Sequence, residues 1–242
     1  MTEFQARQQL IDHARAMNAL GINHGKAGNV SLRWDRSKTP EGAGLLITPS
    51  ALAYDRLQPR DIVWVSMRPD PDLVATDSET LPDTPVFDGG RRASSEWRMH
   101  RDLLRARPEL SAVVHTHSRH AAALSCLAKV QREGIPPFHY MIALSGASRI
   151  ACAAYARFGT QALSEAMLAA LAGGAMACLL AHHGLIAAGP DLPSALALAE
   201  EVEALAAMYA ITLTLGGPAI LENPAMDAVE QAFAAYRSGQ AL

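Results

Sequence analysis

Apolar residues recur at Phe4, Leu10, Ile11, Ala14, Met17 and Leu20, close to helical spacing, and Gly21 ends the run. This predicts a helix over residues 3–20. The period then changes. "NHGKAGNVSLRW" passes from a glycine-rich turn into a strand, and "GLLITPS" is a strand that enters a turn at Pro49. "LQPRDIVWVSM" is a proline-containing turn followed by a strand from Ile62 to Met67. Residues 68–93 hold Pro69, Pro71, Pro82 and Pro85 and end in "DGGRRA", which reads as a loop with room for a short hairpin.

Ser94 or Ser95 is placed to cap a helix through "EWRMHRDLLRAR" that stops near Pro108. "SAVVHTHS" is a strand, "RHAAALSCLA" a short helix, and "GIPPFHYM" an irregular, stiff stretch. "GTQALSEAMLAALAG" is a helix closed by Gly173 and Gly174, and "AMACLLAHHGLIAAG" is a strand, a turn and a second strand. A long helix, "DLPSALALAEEVEALAAMYAITLTLG", starts near Asp191 or Ser194. A weaker one, "AMDAVEQAFAAYRSG", lies in the tail. No internal repeat is visible. Strands and helices interleave throughout, which predicts one layered α/β domain over residues 1–242.

Composition narrows the class. With 242 residues, 50% hydrophobic and 19% charged, the chain has material for a full core and is not of disordered type. The net charge of −3, from 21 basic and 24 acidic residues without a long basic run, predicts neither a nucleic-acid nor a membrane partner. The start is charged and polar where a signal peptide has an apolar block. Apolar runs such as "AMACLLA" fall far short of the ~20 residues that span a bilayer. Cys126, Cys152 and Cys178 form no C-x-x-C pair, so they are expected as buried free thiols in a reducing cytoplasm.

The chemistry concentrates at strand ends. Side chains at i and i+2 of a strand share a face, so His115 and His117 point the same way, about 7 Å apart at Cα. Two imidazoles at that spacing can reach one ion through bonds near ~2 Å. "LLAHHGLI" offers a third imidazole at the end of another apolar strand. His182 and His183 lie on opposite faces there, and the pattern does not choose between them. Glu96, just after Ser94 and Ser95 at a helix start, is a candidate fourth ligand, or else a carboxylate complementing the helix dipole. "GKAGNVS", "TPSA" and "ASSE" are turns rich in N–H and hydroxyl donors, a set suited to a phosphate dianion. Neither a Walker loop nor a strand-linked G-x-G-x-x-G is present, which argues against a nucleotide.

In order, "GNVSLR", "LLITPS", "SSEWRMH", "AVVHTHSRH", "IPPFHYMIALSG", "YARFGT" and "HHGLIA", followed by the "AEEVEALAAMY" helix, resemble the class II aldolase/adducin family. The resemblance runs over roughly residues 5 to 238. It implies a three-layer α/β/α fold with a mostly antiparallel sheet, and a cyclic homotetramer with active sites between subunits. It implies Zn²⁺ held by Glu96, His115, His117 and His183. It also implies a phosphate pocket of Gly28, Asn29, Ser50, Ala51, Ser94 and Ser95, with Tyr140 as a catalytic tyrosine and Tyr236 as a substrate contact. The implied reaction is retro-aldol cleavage of a ketose 1-phosphate, such as L-fuculose 1-phosphate or a 5-deoxypentulose 1-phosphate. Its products are dihydroxyacetone phosphate and an aldehyde, with Glu96 carrying the proton at C3. An L-ribulose-5-phosphate 4-epimerase-like or decarboxylase activity is the alternative within the family, and a non-catalytic adducin-like module lies outside catalysis. Two departures stand out: the segment 68–93 is longer than usual, and Ser50–Ala51 stands where the fuculose-type enzymes carry Thr-Gly.

Overall fold

The first helix, α1 (Glu3–Ala19), opens on a reciprocal cap. Thr2 Oγ1 accepts from the Gln5 amide at 3.3 Å, and the Gln5 side chain accepts from the Thr2 amide at 2.8 Å. Its Leu10, Ile11, Ala14 and Met17 are fully buried, whereas Phe4 stays 66% exposed. The computed structural model describes residues 1–39, 42–69 and 85–237.

Eight strands form one sheet: β1 (Asn29–Arg33), β2 (Gly44–Ile47), β3 (Val63–Pro69), β4 (Pro85–Asp88), β5 (Ala112–Thr116), β6 (Cys152–Ala153), β7 (Ala177–Leu180) and β8 (Gly184–Gly189). Their order is β4-β3-β2-β1-β5-β8-β7-β6. Every neighbouring pair is antiparallel except β6 with β7. Strand alternation divides the core in two. Leu45, Ile47, Val113 and Ile186 face α2 (Trp97–Ala106) and α5 (Gln161–Ala170). Leu46, Val114, Leu185 and Ala187 face α1, α3 (Arg119–Ser125) and α6 (Leu192–Thr214). This is the three-layer α/β/α arrangement with a mostly antiparallel sheet.

Several local readings are refined. The segment 68–93 is not loop throughout: β3 runs to Pro69, and Pro85–Asp88 pairs with it as an edge strand. Prolines are tolerated there because an edge leaves N–H positions unpaired. Residues 70–84 lie outside the described residues. "RHAAALSCLA" divides at Cys126 and Leu127 into α3 and α4 (Ala128–Glu133). A 3₁₀ helix takes up Tyr140–Ser145. The two-residue β6 was too short to leave a periodic signal. Asp191, not Ser194, caps α6, accepting from the Ser194 amide at 2.8 Å. All three cysteines are free, but only Cys178 is buried; Cys126 is exposed. Among the described residues no helix is long and apolar enough to cross a membrane.

Two glycines let the strands close around one point. At Gly28 a Cβ would stand 2.5 Å from the His115 carbonyl oxygen, and its φ of +59 is itself a glycine conformation. At Gly184 a Cβ would stand 2.2 Å from the Thr116 carbonyl oxygen. Both contacts lie at the end of β5. The helix carrying Glu96 is braced from behind. Asp102 on α2 accepts from Ser164 Oγ at 2.8 Å and from Gln161 Nε2 at 3.0 Å on α5.

Candidate metal centre

β5 sits between β1 and β8, with His115 opposite Asn29 on one side and Ile186 on the other. His115 therefore lies on the α2 face, and His117 follows just past the strand end. The turn between β7 and β8 brings in His183. Its amide donates to the Leu180 carbonyl at 3.0 Å and to Ser125 Oγ at 3.3 Å. His182 takes φ +57 and stays out of the ligand group while lining the same cavity, its Nε2 2.9 Å from Gln131 Nε2 and its ring against Tyr155. Glu96 occupies the N-cap position of α2 but makes no side-chain cap bond. It spends its carboxylate elsewhere.

One atom each from Glu96, His115, His117 and His183 falls within a group no wider than 4.8 Å. The imidazole nitrogens of His115 and His117 are 3.1 Å apart, and those of His117 and His183 are 3.0 Å apart. The two carboxylate oxygens stand 3.2 Å from His115 Nε2 and 3.1 Å from His183 Nε2. Ligand atoms set tetrahedrally at zinc bond lengths of ~2.0–2.1 Å stand roughly 3.3 Å from one another. These four separations lie near that edge length, within a group whose full width is up to 4.8 Å. The tautomers match as well: His115 Nδ1 donates to the Leu185 carbonyl at 2.7 Å, leaving Nε2 as a lone pair aimed inward. Glu96 Oε1 is buried and has no aligned hydrogen-bond donor, His183 Nε2 being near it but off axis. An anionic oxygen and three inward-facing imidazole nitrogens fit a divalent cation.

The electrostatics follow from burial and proximity. Burial by itself raises the Glu96 carboxyl, but His115 and His183 outweigh it and hold the group well below the usual carboxylate range. Burial lowers His115, and the Glu96 carboxylate more than reverses that. His117 is pushed down to about 4, by burial first and then by His115 and His183, so its lone pair is available at neutral pH. Behind the cluster lies a residue that spacing did not single out. His100 is fully buried on α2, with Nδ1 2.7 Å from Ser31 Oγ and Nε2 hydrogen-bonded to Asn29 Oδ1. Asn29 Nδ2 in turn donates to Glu96 Oε2 at 2.9 Å. Its signal was present: Glu96 and His100 are four apart at a helix start, and Asn29 and Ser31 are two apart on a strand.

The cluster opens into a cavity of about 350 Å³. Gly28, Asn29, Ser50, Ala51, Ser94 and Ser95 all line it, as do Glu96, His117 and His183. Ala51 takes φ +62, a conformation a glycine would adopt without strain. Lys26, Tyr155 and Phe158 also line the cavity and had not been assigned there. Lys26 Nζ approaches the Ala51 carbonyl at 3.4 Å, placing a cation beside the donor turns. The buried Tyr54 hydroxyl donates to the Gly28 carbonyl at 2.7 Å; burial, then Glu96, raises its pKa and keeps it a donor. Tyr140 does not line this cavity. It is 49% exposed and stacks on Phe233 of α7 (Asn223–Arg237). The backbone of Tyr236 belongs to α7, and its side chain lies outside the described residues.

Fold and site together define a three-layer α/β/α protein with a Glu-His-His-His cluster, half of it buried, able to hold a metal ion at one end of its central strands. The chain belongs to the class II aldolase and adducin family: residues 8–210 match the Class II Aldolase and Adducin N-terminal domain. It is 45% identical over 230 residues to 5-methylthioribulose-1-phosphate/5-deoxyribulose-1-phosphate aldolase of Rhodospirillum rubrum, covering 95% of this chain and 91% of that protein. It is 39% identical to L-fuculose phosphate aldolase of Escherichia coli K12, covering 95% and 94%. A solved structure of L-fuculose 1-phosphate aldolase superposes with a TM-score of 0.81 at 30% identity, covering 97% and 98%.

The burial of His100 has a consequence for stability. Its pKa falls from the ordinary 6.5 to about 3, through burial first and then the nearby His115. Between those values the unfolded chain binds a proton there that the native protein does not, so unfolding free energy rises with pH. Stability is therefore expected to decline as pH drops from about 6.5 toward about 3. Urea titrations over this window should show a shallower decline for His100→Gln than for wild type; equal slopes would mean that His100 titrates normally in the fold.

Proposed function

We propose that the chain is a single-domain, zinc-dependent aldehyde-lyase. It cleaves a ketose 1-phosphate between C3 and C4, releasing dihydroxyacetone phosphate and an aldehyde. The observation that carries this reading is the opening of the Glu96, His115, His117 and His183 cluster into a cavity ringed by donor turns. Glu96, His115, His117 and His183 would hold the ion, whose bound form supplies Lewis acidity to oxygens on adjacent substrate carbons.

The chain's own residues do the rest. The amides and hydroxyls of the Gly28–Asn29, Ser50–Ala51 and Ser94–Ser95 turns bind the phosphate dianion, with Lys26 adding charge. In cleavage the C4 hydroxyl loses its proton as the C3–C4 bond breaks and C3 gains one; Glu96, held by Asn29, accepts the released proton and delivers it to C3. Tyr155 and Phe158 supply an apolar wall, which suits the methyl or methylthio end of the substrates in the relatives' names. We assign the substrate to that group: L-fuculose 1-phosphate, 5-deoxyribulose 1-phosphate or 5-methylthioribulose 1-phosphate.

Tyr140 does not line its own chain's cavity and is exposed, and Ile211 and Leu215 are large apolar residues 59% and 79% exposed. This supports a homotetramer in which Tyr140, with Tyr236, enters the neighbouring cavity. There the Tyr140 phenol, protonated at neutral pH, hydrogen-bonds the departing aldehyde oxygen. A cytoplasmic location accords with three free thiols.

Release of dihydroxyacetone phosphate from a panel of these three sugars tests the reaction, with L-ribulose 5-phosphate included for the epimerase alternative. Cleavage of at least one, abolished by chelation and restored by zinc, is expected. Epimerisation of the pentulose without cleavage of any 1-phosphate would replace the reading. The shared site has its own test. Tyr140→Phe and His117→Ala tetramers should each be nearly inactive, yet mixtures that exchange subunits should recover activity. Exchange without recovery would place the whole site in one chain.

A further inference from the structure

Behind Glu96 runs a chain of buried polar groups that touches the cavity only at Asn29. Ser31, Asn29 and His100 are respectively 0%, 3% and 0% exposed. Ser31 and Asn29 are one strand period apart on β1, on the face that packs against α2, and the His100 ring bridges them. Glu96 and His100 are one helical turn apart on α2. Four residues from two elements thus form a closed path from the Ser31 hydroxyl to the Glu96 carboxylate.

The path runs in only one direction. A carboxylate accepts and does not donate, so Asn29 must present its Nδ2 to Glu96 and its Oδ1 to His100. His100 must then carry its proton on Nε2, which leaves Nδ1 to accept from the Ser31 hydroxyl. Reversing the path would turn the Asn29 carbonyl oxygen onto the Glu96 carboxylate, two acceptors face to face between buried side chains. We infer that His100 is a positioning residue for the metal centre, holding the Asn29 carboxamide in the one orientation that fixes the Glu96 carboxylate. The neutrality of His100 fits this part, since a protonated ring would lose the acceptor that Ser31 needs. Asn29 also lines the cavity, and the N–H beyond the one given to Glu96 leaves its Nδ2 a second donor for the proposed phosphate. The same orientation thus sets the base and the anion donor together.

The inference rests on reading Glu96 as a ligand and proton carrier, but its test needs no substrate. Zinc-loaded protein is mixed with a chromogenic chelator, and the rate of metal loss is followed. His100→Leu keeps the volume and removes the donor; it should lose zinc roughly 10- to 100-fold faster, the usual effect of deleting an outer partner of a metal ligand. His100→Gln, whose amide can still donate to Asn29 Oδ1, should return the rate most of the way. In an Asn29→Ala background His100→Leu should add nothing, because its route runs through Asn29. Where aldolase activity is present, kcat should fall with KM little changed. An unchanged release rate, or effects of His100→Leu and Asn29→Ala that multiply, would overturn the inference. Should His100→Leu not fold, ¹⁵N NMR of histidine-labelled wild type decides: a neutral ring protonated at Nε2 agrees with it, and an Nδ1–H tautomer contradicts it. A protein that cleaves no ketose phosphate yet shows these release rates would sink the proposed reaction and leave His100 in place.

Discussion

The register of β5 between its two antiparallel neighbours governs the rest of the molecule. His115 is paired with Asn29 on β1 and with Ile186 on β8, and the Leu185 carbonyl fixes its ring. A slip by one residue would send His115 into the opposite core, among Val114 and Leu185, and break both the cluster and the packing. The close approaches at Gly28 and Gly184 lock this register from either side, since each allows a neighbouring backbone to meet the end of β5 at a distance no other residue permits. Fold stability and the geometry of the Glu-His-His-His cluster are therefore one constraint.

A buried carboxylate beside three imidazoles is costly to assemble unless its charge is answered. The structure answers it on two sides. Toward the cavity are the imidazole nitrogens, His117 lying about one tetrahedral edge from both His115 and His183, which a cation would satisfy together. Away from the cavity is the Asn29 donor, held by His100. The outer side is rigid, embedded between β1 and α2, while the inner side opens to the cavity where Glu96 can exchange partners. That asymmetry suits the part of ligand and proton carrier proposed for Glu96.

Much of this was legible in the chain. Strand and helix periods predicted the layered α/β class, and H-x-H with H-H-G predicted a cation site from residue spacing alone. The choice of His183 over His182 was not in the period. It depends on a left-handed turn at His182, which nothing in two consecutive histidines announces. Glu96 was ambiguous because a carboxylate at a helix start has an ordinary reason to be there; only its lack of a capping bond shows otherwise. His100 went unread because an apolar helix face with one histidine looks like core, and its partners lie about seventy residues away on β1. The edge strand β4 was hidden by prolines that usually mark loops. For His100 and β4 the missing information was a tertiary contact; for His183 and Glu96 it was a local backbone and cap geometry.

The central claim is that Glu96, His115, His117 and His183 form one metal centre. X-ray absorption at the zinc edge of the purified protein measures it directly. The account predicts a shell of light atoms near ~2.0–2.1 Å with the multiple-scattering pattern of about three imidazoles, and loss of one imidazole in His183→Ala. A sulfur shell near ~2.3 Å, or a His183→Ala spectrum identical to wild type, would contradict it.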